Sequence, residues 1–258
     1  MTKTIIYILT HKKFDYKEDG MHLPLLNGSS LLKEDFGYIR DDQGDNISKL
    51  NPYYAELTGQ YWAWKNSNAE IIGFCHYRRY FTKNLSLKII EKEEIEEILT
   101  EYDIILPKKR RLDKTVIEDI DFTHKEFDIC QKKEDYDLLR EIIKEDHPDY
   151  IESFDEFLNS SEIYWFNMYI LKKELFDEYF NWLYDILEKF RLRNDFSTYE
   201  EGNTRVLGYL SERLLNVFII KNKLKIKEKN LLLTESRNPY LAIIHNRSRL
   251  LQRIFRVK

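Results

Sequence analysis

At 258 residues, 43% of them hydrophobic and 14% aromatic, the chain is long enough to bury a sizeable core and has the composition of a soluble globular protein. Eight glycines and five prolines exclude collagen-like, linker-rich and long low-complexity segments. The 41 basic and 45 acidic side chains leave a net charge of −4, which gives a nucleic-acid partner little support.

Thr4 to Thr10, rich in β-branched residues and hardly alternating, reads as a central strand, with His11 and Lys12 at its C-terminal end. The next forty residues carry turn chemistry at Asp19-Gly20, at Asn27-Gly28-Ser29-Ser30 and from Asp41 to Asn46. A long irregular segment of this kind is more often a binding loop than a spacer. Asn51-Pro52 opens a helix in which Glu56, Leu57, Gln60, Tyr61 and Trp64 recur at helical spacing.

Ile71 to Phe81 is the most informative stretch: an apolar run that gives way to His76, Tyr77, Arg78, Arg79, Tyr80 and Phe81. It reads as a buried strand opening into a polar site, since α/β sheets bind ligands where such strands end. Two guanidiniums there can hold a diphosphate or a carboxylate; the plainer alternative is a surface pair neutralised by nearby acids.

Leu87 to Glu101 reads as a charged helix, Tyr102 to Pro107 as a short buried strand, and Lys108 to Arg111 as a solvated basic run. Phe122 to Tyr150 reads as helix broken at Pro148, and Ile163 to Leu171 as one buried strand carrying Asn167. That amide is either a satisfied core group or a ligand contact. Lys173 to Phe190 is amphipathic, Arg205 to Leu214 is a second such helix, and Leu224 to Lys227 reads as a late edge strand.

The basic stretch 246–258 gathers Leu250, Leu251, Ile254 and Phe255 on one helical side, among arginines. It divides the chain into a body, 1–245, and a tail suited to an anionic membrane surface. Cys75 and Cys130, far apart in sequence, make neither a disulfide framework nor a metal pair. With no apolar run near ~18 residues and no signal peptide, the expected place is the cytoplasm, peripheral at the inner face of the cell membrane.

Strands alternating with helices point to an α/β fold with a mainly parallel, mixed sheet covered on both faces. No Gly-x-Ser-x-Gly, His-Glu-x-x-His, Cys-x-x-Cys or Gly-rich phosphate loop is present. A strand-end site of basic, amide and aromatic groups remains, and it suits a nucleotide diphosphate and a sugar. A carboxylate is needed to deprotonate an acceptor hydroxyl; Glu212, Asp41, Asp42 and Asp45 are the candidates, each equally readable as an ordinary surface acid.

Asp45-Asn46-Ile47-Ser48, Asn51 to Thr58, Tyr61-Trp62-Ala63-Trp64-Lys65-Asn66 and Gly73 to Phe81, in that order, resemble a family of bacterial capsular and exopolysaccharide glycosyltransferases catalogued as a domain of unknown function (DUF4422-like). Asn167-Met168, Phe176 to Leu187, Arg205 and Gly208 to Leu214 are similar to it as well. The resemblance implies a GT-A-like single domain that moves a hexose from a nucleotide diphosphate, such as a uridine diphosphate galactose or galactofuranose, to a lipid-linked glycan. Thr10, His11, Lys12, Asn27, Gly28, Asp45, Asn46, His76, Arg78 and Arg79 are then assigned to the nucleotide and donor. Asn167, Arg205, Trp64 and Glu212 face sugar and acceptor, with Glu212 as base in an inverting displacement and Arg78 and Arg79 aiding departure.

The chain departs from GT-A enzymes that hold a divalent cation with Asp-x-Asp, because its strand end reads Cys75-His76-Tyr77-Arg78-Arg79. His76 and the arginines are expected to replace the metal, the rival being manganese or magnesium on Asp41, Asp42 or Asp45. A non-catalytic carbohydrate-binding protein and a nucleotidyltransferase are the alternatives from other classes.

Overall fold

The computed structural model describes residues 2–83, 88–127, 131–199 and 204–234. The strand pattern of Thr4 to Thr10 is realised as β1 (Thr4–Thr10), buried at every position and flanked by parallel neighbours on both sides. These are β2 (His22–Leu26), itself followed by the short parallel β3 (Ile39–Arg40), and β4 (Ile71–His76). Between them lie the one-turn α1 (Asn51–Tyr54) and α2 (Leu57–Asn66).

β4 does not run on to Phe81. It turns at Tyr77-Arg78 into β5 (Arg79–Phe81), a hairpin with His76 opposite Arg79. The expected helix from Leu87 is found, among the described residues, as α3 (Lys92–Glu101), and it leads into β6 (Ile104–Pro107). β7 (Arg110–Arg111) pairs with β8 (Glu162–Ile163) as a separate ribbon. The expected single helix of 122–150 is instead α4 (Val116–Phe127) and α5 (Lys133–Asp146), and α6 (Ile151–Asn159) follows.

β9 (Tyr169–Lys172), α7 (Lys173–Arg193), α8 (Val206–Asn222), β10 (Ile226–Lys229) and β11 (Leu231–Leu233) complete the order. The main path of the sheet runs β10-β6-β9-β4-β1-β2-β3, with β5 and β11 attached beside β4. Only β9 is reversed along that path. The expected mixed, mainly parallel α/β sheet is therefore the observed one, and β10 occupies the edge foreseen for the late strand.

Alternation along β1 divides the interior in two. Ile5, Tyr7 and Leu9 join the larger core with residues of α2, α5, α6, α7 and α8; Ile6 and Ile8 face the smaller one with Ile95 and Leu99 of α3. Gly73 of β4 permits this packing, because a Cβ there would lie 2.6 Å from Ile6 Cδ1 and 2.8 Å from Ile170 Cγ1. Among the described residues no helix is long and apolar enough to cross a membrane. Cys75 is buried and free; Cys130 and the 246–258 tail lie outside the described residues.

Candidate active site

β4 and β6 both run antiparallel to β9 and so parallel to each other. The C-terminal ends of β1, β2, β4 and β6 thus share one edge of the sheet, where open α/β sheets take their ligands. A cleft of about 700 Å³ lies there. Its lining includes Thr10 at the end of β1 and His11 after it, Asn27 after β2 and His76 to Arg79 of the hairpin. Asn51, Glu56, Phe166, Arg205, Tyr209 and Glu212 line it as well.

The floor is the segment between β8 and β9, where the expected strand of 163–171 is broken. Phe166 has φ 87° and Asn167 φ 46°, left-handed values that a bulky residue adopts only when its surroundings impose them. Side chains hold five of the backbone polar groups of this segment. Asn216 Oδ1 accepts from Tyr164 N at 2.8 Å and its Nδ2 donates to Tyr164 O at 3.0 Å, which stands in for a strand partner. The Phe166 N–H donates to the Glu212 carboxylate. The Phe166 carbonyl accepts from His76 Nε2 at 2.9 Å, and Gln60 Nε2 donates to the Asn167 carbonyl at 2.9 Å.

Asn167 is 1% exposed and lies beneath the cleft, not at its surface. Its Nδ2 donates to Glu56 Oε1, Gly208 O and Ser211 Oγ at 3.0, 3.0 and 2.8 Å. It acts as a core amide that joins α8 to Glu56. Gly208 allows the close approach: a Cβ there would stand 3.3 Å from that of Ala55.

α8 is buried almost all round, so polar groups on it are desolvated. Glu212 is 13% exposed, opens to the cleft and pairs through Oε2 with Nη1 of the buried Arg213 at 3.1 Å. Burial, and then the charge of Glu56, push its carboxyl up to about 7, against the opposing pull of Arg213, the Phe166 N–H and Arg79. That is a useful value for a group that must take a proton at neutral pH.

His76 moves the other way. Burial lowers its pKa, with Arg78 and Arg79 adding to the effect and Glu56 and the Phe166 carbonyl opposing it. His76 is therefore a neutral donor to Phe166, and positive charge at the turn comes from Arg78 and Arg79. Arg79 lies with Cζ 4.4 Å from the Phe166 ring centroid. Beyond Tyr77 a shelf of rings continues: the exposed His11 and the half-buried Phe14 have centroids 5.5 and 6.0 Å from it, and Lys12 Nζ stands 4.6 Å over it.

Thr10, His11, Asn27, His76, Arg78, Arg79, Arg205 and Glu212 are thus brought together as the sequence suggests. Others are placed elsewhere. Gly28, at φ 63°, does not line the cleft but packs against Asn51, which does. Asp41 is fully buried and accepts from Gly28 N, Ser29 N, Ser29 Oγ and Ser48 Oγ. Asp42 pairs with Arg40, Asp45 accepts from Tyr61 OH, and Asn46 donates to Asp42 O and Gly44 O. Trp64 packs edge-to-face with Tyr61 and at a tilt against Phe180 and Tyr184, under Lys65.

Sequence reasoning missed Glu56, Phe166, Asn51 and Tyr209 as cleft residues. Glu56 carried a signal, because it lies within one of the family-like blocks. Phe166 carried none.

The strand end offers an imidazole already bonded and two guanidiniums, the cleft also holds the carboxylates of Glu56 and Glu212, and among the described residues no three His, Cys, Asp or Glu side chains gather to hold a metal.

A family model described as "Domain of unknown function (DUF4422)" matches residues 5–223. The chain belongs to this family. No curated protein sequence matches it. Among solved structures it is similar to the apo form of a WbbM bifunctional glycosyltransferase, with 28% identity and a TM-score of 0.81. The match covers 91% of this chain and 46% of that one, so this DUF4422 chain spans about half the length of its structural relative.

Proposed function

We propose that this DUF4422 protein is a glycosyltransferase using a nucleotide diphosphate sugar, inverting and independent of a metal. The observation that carries the reading is that Arg78, Arg79 and a largely buried Glu212 with a pKa near 7 line one strand-end cleft. The likeness to WbbM supports the class.

In this reading the nucleotide base lies toward the aromatic shelf at His11 and Tyr77, with Thr10 and Asn27 beside it. The diphosphate meets Arg78 and Arg79, whose guanidiniums can bind its oxygens in pairs. The acceptor hydroxyl gives its proton to Glu212 as its oxygen attacks the anomeric carbon. The bond from that carbon to the phosphate oxygen breaks, and the nucleoside diphosphate leaves with the electron pair. Charge accumulating on the departing oxygen is met by the two arginines in place, which lowers the barrier without reorganisation.

A uridine diphosphate hexose, galactose or galactofuranose, is the donor proposed, and a lipid-linked saccharide of capsule or exopolysaccharide synthesis the acceptor. The basic 246–258 tail would bring the enzyme to the inner membrane surface, and deleting it should then abolish binding to anionic vesicles. Calorimetric titration with uridine diphosphate, once with manganese and once with a chelator, tests the core of the reading. Equal binding in both supports the arginine site. Binding only with manganese overturns metal independence, and no binding removes the uridine donor.

A further inference from the structure

The basic run Lys108 to Arg111 has no part in this chemistry so far. It follows β6, whose C-terminal end shares the edge that carries the cleft. Arg110 pairs with Ile163 in the β7–β8 ribbon, which sets it beside the segment leading to Phe166. Its Cζ lies 5.1 Å from the Phe166 ring centroid, while Arg79 Cζ approaches the same ring to 4.4 Å. The neighbouring Lys109 is engaged with Glu162 at 3.1 Å.

One ring therefore gathers two cations from two different strand ends. The ring's quadrupole attracts each of them, and they repel each other. Such an arrangement spreads positive potential across Phe166, from the donor side of the cleft to the β6 side. Phe166 has a left-handed backbone conformation and its N–H donates to Glu212, so one residue contacts Arg110, Arg79 and the base.

We propose that Arg110 binds a phosphate or diphosphate group on the acceptor, on the β6 side of Phe166 from the donor diphosphate. The inference rests on the transferase reading. It narrows the acceptor to a saccharide that carries an anionic linkage. A neutral glycan offers Arg110 nothing.

The test is a titration of the full-length protein, saturated with uridine diphosphate, first with inorganic pyrophosphate and then with glucose 1-phosphate. A second site is expected, weakened about tenfold or more in Arg110→Gln, less in Arg110→Lys, with uridine diphosphate affinity unchanged in both. Preference for pyrophosphate marks a diphosphate ester as the ligand; preference for glucose 1-phosphate marks a monoester. No second site, or equal binding by Arg110→Gln, overturns the proposal. If uridine diphosphate itself fails to bind, the donor reading falls separately, and pyrophosphate is titrated into the free protein. Sensitivity to Arg110→Gln but not to Arg78→Gln then retains the anion site, and insensitivity removes it. Melting curves of the variants separate lost binding from lost fold, with Arg110→Lys as the variant that keeps the charge.

Discussion

Asp41 and Glu212 are both carboxylates withdrawn from water, yet their surroundings differ in kind. Asp41 receives two backbone N–H groups and two hydroxyls, so its charge is met by donors from the turn after β2 and from its own loop. Glu212 has one backbone N–H and one guanidinium, and it shares its surroundings with a second carboxylate, Glu56. A carboxylate with a full set of donors is a structural post; one left short of donors beside an open cleft is a proton acceptor in waiting. Burial alone does not tell the two apart. The donor count does.

Glu212→Gln offers the sharpest way to break this contrast. Keeping shape and losing basicity, it should lower turnover by about 10²–10⁴-fold in a donor-consumption assay. Unchanged turnover would end the assignment. Asp41→Ala should act on stability instead, costing about 3 kcal/mol or more in a denaturant titration, because two N–H groups and two hydroxyls lose their acceptor. Asp41→Asn that folds normally yet has no activity would place Asp41 in the chemistry after all.

pH gives a smaller, graded effect. With Glu212 near 7, kcat/KM should rise about tenfold per pH unit below that value and level off above it, a profile that Glu212→Gln removes. Stability moves in the opposite sense. The folded chain holds this proton more tightly than the unfolded one, so the contribution is complete below the ordinary glutamate value and is lost as pH rises through about 7. Denaturation midpoints of the parent and Glu212→Gln, measured across that range, should differ by a loss that grows as pH rises toward 7 in the parent. Asp42→Asn is the mildest case. Its partly exposed pair with Arg40 is worth less than about 1 kcal/mol, and turnover should hold. Collapse of turnover would revive a cation on this loop.

The strand-end site was legible because apolar runs that stop at His76, Arg78 and Arg79 have a physical meaning in a parallel sheet. The central strand from Thr4, the long helix from Lys173 and the edge strand near Ile226 follow from periodicity in the same way. The break at Phe166 was hidden, since Ile163 to Leu171 reads as one apolar strand. Contacts from His76, Gln60, Glu212 and Asn216, all distant in sequence, hold the interruption, and no local pattern records them. Glu56 was obscured for the related reason that a carboxylate at helical spacing looks like solvent-facing charge until Asn167 is seen beside it. Trp64 misled in the opposite direction: an aromatic free to stack on a sugar and one packed in a ring cluster are the same letter.

β11 pairs with β5, and the Thr234 N–H donates to the Arg78 carbonyl at 3.2 Å. The arginine turn is therefore buttressed by the last strand before residues 235–258 begin. A change that loosens β11 therefore reaches the turn that carries the two guanidiniums before it reaches the rest of the sheet.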